Sequence, residues 1–315
     1  MKAQQEASTP AKTVIIIAGP TAVGKTAIAI KLAKEFQTEI ISADSRQCYK
    51  ELRIGVARPS TQELEEVPHH FIATHSIQEE VSAADFEKYA LQKSTELFSR
   101  HDTIIMSGGT GLYIKAFCDG LDTIPTVDPA IRRHIRMQYD RGGQEWLQEE
   151  IGKKDPLYFE KGEILNPQRM MRALEVVEST GKSILAFRRG KKTKRDFNIL
   201  RIALNLPKEE LHRNIYARVD KMLADGLVEE VNALRAFRHL NALKTVGYTD
   251  IFQYLDGEIT LAKAAELIKI NTRQYAKRQL TWFKKDPEMQ WFSPYEYESI
   301  VKVIKERLVL PHSTQ

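Results

Sequence analysis

The sequence predicts an α/β protein in which a parallel sheet with flanking helices is interrupted by an all-helical insert. Apolar runs rich in Val and Ile recur along the chain, and segments of helical period separate several of them. Strand-like runs then vanish between about residues 125 and 195 before one returns. A strand buried on both faces reads as a continuous apolar run, and helices supply the crossovers between parallel neighbours.

The expected strands are TVIIIAG (13–19), TEIISAD (38–44), FIATHSI (71–77), TIIMSGG (103–109) and ILRIALNL (199–206). KTAIAIKLAKEF and SAADFEKYALQKSTELF are expected helices between them, the second with Ser82 placed as its cap. The insert opens at Asp128-Pro129, an N-cap followed by proline at the first helical position. Helices are expected over IRRHIRMQY and NPQRMMRALEVVESTGKS, the latter stopping near Gly181, and the block ends in RRGKKTKR (188–195), with six basic residues in eight. The return of ILRIALNL as a strand gives a core of 1–124 with 196–315 and an insert of 125–195. After Pro207 the chain reads as helical to its end.

Composition narrows the class. With 315 residues, 42% hydrophobic and 28% charged, the chain can bury an ordinary core. The net charge of +5 makes its distribution the informative quantity. Two cysteines, Cys48 and Cys118, cannot build a disulfide framework or a cysteine-rich zinc site. His69, His70 and His75 lack partners at metal-ligand spacing. No run approaches the ~18 apolar residues of a membrane span, and MKAQQEASTPAK at the start has no apolar h-region. The expectation is a reduced, cytoplasmic protein without a membrane partner.

Gly19-Pro20-Thr21-Ala22-Val23-Gly24-Lys25-Thr26 fits G-x-x-x-x-G-K-[ST] between an expected strand and an expected helix, which makes the core P-loop NTPase-like. Glycines let backbone N–H groups turn inward, and the helix N-terminus adds partial positive charge. Lys25 is expected to neutralise terminal phosphates and Thr26 to place its hydroxyl on Mg²⁺. A nucleotide hydrolase also needs an apolar strand ending in a metal-binding acid. TIIM ends instead in Ser107-Gly108-Gly109, and the only apolar strand ending in a carboxylate is EIISAD, which places Asp44 facing the loop. Two readings of Asp44 stand at this point: an acid that meets an acceptor, or a cap on the following turn.

These segments combine with others. GPTAVGKT, ISADSRQCYKELRIGVARP (41–59), SGGTGLYIKA (107–116), NPQRMMRALEV (166–176) and RQYAKRQLTW (273–282) together resemble the tRNA dimethylallyltransferases, also called tRNA isopentenyltransferases. The resemblance follows the family's order along nearly the whole chain. Val56 stands where Thr is usual, and Arg58 where Lys is commoner. The resemblance implies transfer of a dimethylallyl group from dimethylallyl pyrophosphate to N6 of the adenosine 3′ of the anticodon. The loop would then hold a pyrophosphate leaving group with Mg²⁺, Arg218 would be a further clamp, and Asp44 would accept the proton of N6. Thr21 and Thr110 are expected near donor and acceptor.

In the family the helix carrying Gln168, Arg169, Met170, Met171 and Arg172 touches the anticodon loop. The segments Asp44-Ser45-Arg46-Gln47 and Thr245-Val246-Gly247-Tyr248 match further substrate contacts. Arg273, Gln274, Lys277, Arg278, Gln279 and Trp282 share one helical stripe that mixes cations, amides and an aromatic ring. Eukaryotic relatives carry a C-terminal zinc finger, and the lack of cysteine after Cys118 implies a bacterial-type enzyme, expected as a monomer. A P-loop kinase of a small metabolite, an ATP-dependent RNA-binding module and an adenylate isopentenyltransferase remain as alternatives. The basic helical insert argues against the first and third of these.

Overall fold

The structure, a computed structural model, describes residues 12–188, 190 and 192–309. Most of MKAQQEASTPAK, and Arg189 and Lys191 of the basic run, lie outside the described residues. The chain forms two units, one running to Cys118 and resuming at Lys194, the other spanning Asp119–Thr193.

The first unit is built on a six-stranded sheet in the order β3-β2-β4-β1-β5-β6, every pair parallel. Its strands are β1 (Thr13–Ala18), β2 (Ile40–Ser42), β3 (His69–His70), β4 (Thr103–Gly108), β5 (Asn198–Leu204) and β6 (Gln290–Phe292). The helices are α1 (Lys25–Glu35), α2 (Thr61–Glu66), α3 (Ala83–Phe98), α4 (Gly111–Asp119), α8 (Lys208–Ala224), α9 (Leu227–Ala233), α10 (Tyr248–Leu255), α11 (Leu261–Phe283) and α12 (Tyr297–Val309). The insert supplies α5 (Pro129–Lys154), α6 (Pro156–Lys161) and α7 (Pro167–Thr180).

Strand β1 shows why its sequence is apolar throughout. Val14, Ile16 and Ala18 enter the core on one face of the sheet, while Ile15 and Ile17 enter the core on the other. All five have no solvent exposure, as the period of two requires of a strand covered on both sides. Ser82 caps α3 as expected, accepting from the Asp85 N–H in a capping box.

Two expectations for strands are corrected. FIATHSI is not a strand: β3 ends at His70, and Phe71 and Ala73 then turn at φ 63° and 50°. Its apolarity comes from a plug, because the Phe71 ring is fully buried against Phe86 with centroids 5.1 Å apart. The chain after Pro207 is not wholly helical either, since β6 adds a three-residue strand beside β5.

The insert starts each of its helices in one way. A proline sits in the first turn and an Asx side chain caps it: Asp128 accepts from Ala130 N (2.7 Å), Asp155 from Tyr158 N (2.9 Å) and Asn166 from Arg169 N (3.2 Å). Helix α5 is broken at Gly143, whose backbone is non-helical (φ 63°). Helix α7 stops at Gly181 in the left-handed conformation that needs no Cβ. Ile135, Leu147, Tyr158 and Leu174 pack with Met170 and Met171 into the insert's own core. The two methionines were expected at the RNA face. At 0% and 8% exposure, their side chains are core residues instead.

The sheet's carboxyl edge leaves no slack at Gly108. A Cβ there would lie 2.2 Å from the Ala43 carbonyl oxygen, which is backbone and cannot swing aside. Gly108→Ala should therefore lose about 1–3 kcal/mol in urea unfolding, the range for overpacking. Gly152→Ala, where the new carbon would meet only Phe159 at 3.7 Å, should be neutral or stabilising. Equal midpoints for the two variants would contradict the tight approach of β2 and β4.

Candidate active site

The loop after β1 turns through left-handed backbone at Gly19 (φ 143°), Ala22 (φ 65°) and Gly24 (φ 100°). A side chain at Gly19 would meet the Leu204 carbonyl oxygen at 2.7 Å, so only glycine lets the loop cross the end of β5. Pro20 and Val23 are buried beneath it. Helix α1 begins at Lys25 with no side-chain cap. Its first N–H groups are left to an anion, which the helix dipole favours.

A cavity of about 520 Å³ opens over this loop, lined by Thr21, Lys25, Thr26 and Arg218 together with Asp44, Gln47, Glu63 and Asp225. Ile54, Val56, Ile72 and Met222 give it an apolar part. The Lys25 ammonium donates to the Pro20 carbonyl (2.6 Å). Burial and the neighbouring Arg218 charge push its pKa down to about 7, with Asp44 opposing them. Arg218 donates to the Thr21 hydroxyl (3.1 Å). Burial lowers its pKa too, against the pull of Asp44 and Glu63.

Asp44 follows β2, and its Oδ1 accepts from the N–H groups of Arg46 (2.9 Å) and Gln47 (3.2 Å). Asp44 thus caps the turn, and it also lines the cavity that the phosphate loop lines. Ser45 is tied to Thr110, which accepts from the Ser45 N–H (3.0 Å) and donates to its hydroxyl (3.3 Å). The Gln47 amide donates to the carbonyls of Val56 (3.2 Å) and Ala57 (2.9 Å), so the substitution at Val56 spares a backbone contact. Arg58 donates to three carbonyls, those of Tyr49 (2.7 Å), Lys50 (2.8 Å) and Leu52 (2.5 Å). It holds the turn that frames the cavity.

Tyr248, expected at the RNA face, is a buried pillar. Its ring leaves no room for a side chain on Gly55 (2.5 Å), and its hydroxyl donates to Glu230 (2.5 Å). Glu230 also accepts from the N–H groups of Arg53 (3.1 Å), Ile54 (2.8 Å) and Gly55 (3.0 Å), fixing the cavity's apolar wall. Gly247 is buried at φ 93°, Val246 packs against the core, and Thr245 is half-buried.

The stripe on α11 divides. Gln274, Lys277 and Arg278 are exposed, and the Arg278 guanidinium lies 5.8 Å from the Tyr275 ring centre. Arg273 donates to the Tyr216 hydroxyl (2.6 Å). Gln279 points inward, only 7% exposed, and Trp282 packs over Gly111. In the insert, Gln168 and Arg169 are exposed; Arg169 pairs with Glu163, and Arg172 with Glu175 (3.0 Å). Glu230 and the inward turn of Gln279 are what the sequence did not signal. Their backbone partners lie more than a hundred positions away in the chain.

Among the described residues no group of three or more His, Cys, Asp or Glu could hold a metal ion. No described helix is long and apolar enough to cross a membrane.

Residues 47–286 match the family described as IPP transferase. The tRNA dimethylallyltransferase of Christiangramia forsetii is 48% identical over 88% of this chain and 92% of its own length. That of Cytophaga hutchinsonii is 44% identical over 94% and 98%. Among solved structures, the tRNA isopentenylpyrophosphate transferase of Bacillus halodurans matches with a TM-score of 0.69 and 34% identity, covering 94% of this chain and 97% of that one. A eukaryotic dimethylallyltransferase captured acting on tRNA matches with a TM-score of 0.79 and 25% identity, over 96% of this chain and 81% of that one. With this extent of likeness, and with the phosphate loop and Asp44 lining one cavity, the chain belongs to the IPP transferase family.

Proposed function

We propose that this protein transfers the dimethylallyl group of dimethylallyl pyrophosphate to N6 of the adenosine 3′ of the anticodon in tRNA. The observation that carries the reading is that the cationic phosphate loop shares its cavity with the carboxylate of Asp44, which acts on both Lys25 and Arg218. β4 ends in Ser107-Gly108, followed by Gly109, and carries no acid at its carboxyl end. The relatives' names supply the substrates, and the cavity supplies the chemistry.

In this reading the pyrophosphate lies on the loop amides of residues 19–26, against Lys25 and Arg218. The N6 lone pair attacks C1 of the dimethylallyl group while the C1–O bond breaks, and its electrons leave with the pyrophosphate. Positive charge fixed at the leaving group before reaction lowers the barrier most. Asp44 orients N6 and takes its proton as the C–N bond forms, since a conjugated exocyclic amine is a weak nucleophile. The apolar wall of Ile54, Val56 and Met222 receives the prenyl chain. Magnesium fits this donor set, because the hydroxyl of Thr26 is a hard oxygen that would hold it beside the pyrophosphate. Bound there, it would neutralise charge on the pyrophosphate.

The adenosine must leave its stack to reach Asp44. Exposed Gln168 and Arg169, half-buried Arg172, and Gln274, Lys277 and Arg278 on α11 are the side chains proposed to hold the RNA. Ser45, Arg46, Gln47 and Thr110 would frame the base, and Thr245 with its neighbours would support that frame. We place the enzyme in the cytoplasm, as a monomer.

The direct test supplies tRNA, Mg²⁺ and dimethylallyl pyrophosphate without ATP; pyrophosphate release and one added C5H8 unit per tRNA are expected. A requirement for ATP, or phosphorylation of a small acceptor, would replace this reading with a kinase. Asp44→Asn should bind both substrates and lower kcat about 10²–10⁴-fold, the range of a general base. Near-normal turnover would remove Asp44 from that role.

Lys25 gives a pH dependence. A pKa of about 7 leaves it partly neutral at pH 7, whereas a bound polyanion favours its protonated form. Donor binding in the absence of metal should therefore take up part of a proton at pH 7. It should weaken as pH rises from about 7 to 8.5, where less of the free lysine is charged. Calorimetry in two buffers of different ionisation heat reads this uptake; no proton uptake would mean that Lys25 is fully charged before the donor arrives.

A further inference from the structure

One buried side chain touches both halves of the site. The Gln279 carboxamide oxygen accepts from the Thr21 N–H (2.8 Å), and its nitrogen donates to the Gly109 carbonyl (2.8 Å). Thr21 belongs to the phosphate loop, and its hydroxyl holds Arg218. Gly109 precedes Thr110, which is bonded to Ser45 next to Asp44. Gln279 is 7% exposed, and a Cβ on Gly109 would strike its nitrogen at 2.2 Å, so the two fit without slack.

We propose that Gln279 is a positioning residue for the transfer step. Its carboxamide spans the gap between the loop that holds the leaving group and the loop that presents the acceptor, and thereby sets the separation of C1 and N6. This rests on the reading given under Proposed function.

Three features support a positioning role over mere packing. The carboxamide is the one uncharged group of this length that accepts at one end and donates at the other. Both partners are backbone, so the bridge fixes the main chain of each loop. A glutamate would meet the Gly109 carbonyl with a second oxygen, and an aliphatic residue would leave both backbone groups unpaired. Gln279 also follows Arg278 on α11, so the bridge springs from the helix whose exposed face is proposed to hold RNA.

A positioning group has its own kinetic signature. Misplacing reacting atoms by about 1 Å can cost on the order of 10²-fold in rate without loss of affinity. Gln279→Met has nearly the length of glutamine and no hydrogen bonds to offer. Its single-turnover transfer rate, with saturating donor and tRNA, should fall about 10²-fold. Donor and tRNA dissociation constants should stay within about threefold of the parent.

A folded Gln279→Met with parental transfer rate would overturn the proposal, as would a loss confined to either dissociation constant. Should that variant fail to fold, Gln279→Glu serves, because it keeps the acceptor for Thr21 and loses the donor to Gly109. It is expected to show the same fall in rate, and a parental rate would again overturn the proposal. The unaltered enzyme is assayed in parallel. If it transfers no prenyl group at all, the functional reading fails; if it transfers and the variants match it, only the role of Gln279 fails.

Discussion

Two half-buried cations that line one cavity, Lys25 and Arg218, are the constraint on which the site depends. Burial lowers the tendency of both to stay charged, and the Arg218 charge pushes Lys25 further in the same direction. Asp44 is the carboxylate that acts on both. The cavity is lined by five cationic side chains, Lys25, Arg53, Arg58, Arg218 and Lys221, against three carboxylates, Asp44, Glu63 and Asp225, so its excess of positive charge is matched to an anionic ligand. A pyrophosphate monoester meets that need, and the charge it gains on departure improves the match.

Holding like charges together requires a stiff frame, and much of the first unit supplies it. The loop is threaded past the end of β5 at Gly19, and β2 and β4 approach until Gly108 touches Ala43. Glu230 gathers three successive backbone N–H groups and the Tyr248 hydroxyl, fixing the wall opposite the loop. Arg58 does the same for three carbonyls. A lysine, with its single point of charge, would hold that turn less well than a planar guanidinium, which gives the change from the family's usual residue a physical sense.

What could be read from the sequence followed the range of the interactions. The strand, loop and helix of residues 13–35 are local, with turn glycines and an apolar run in register, and were legible. The place of Asp44 was legible because it lies two residues past the end of a strand. The capped starts of α3 and α5 were legible because caps lie within three residues of what they bond. FIATHSI misled because an apolar run does not distinguish a strand from a plug. Met170 and Met171 misled because they adjoin polar Gln168 and Arg169 in one motif, while a helix turns adjacent residues to different faces. The insert was read as 125–195, against the 119–193 of the structure. Gln279 looked like one more polar residue on a basic stripe. Its bonds cross 258 and 170 positions of sequence, and no local pattern reports contacts of that range.

In the proposed reaction the loop holds a leaving group, and carbon, not phosphorus, is the centre attacked. Dimethylallyl pyrophosphate labelled with heavy oxygen at the atom joining C1 to phosphorus tests it most directly, by mass analysis of the products after one turnover with tRNA. Cleavage of the C1–O bond sends all of the label out in pyrophosphate, and this is the result predicted. Label recovered in dimethylallyl alcohol, with phosphate transferred elsewhere, would contradict it.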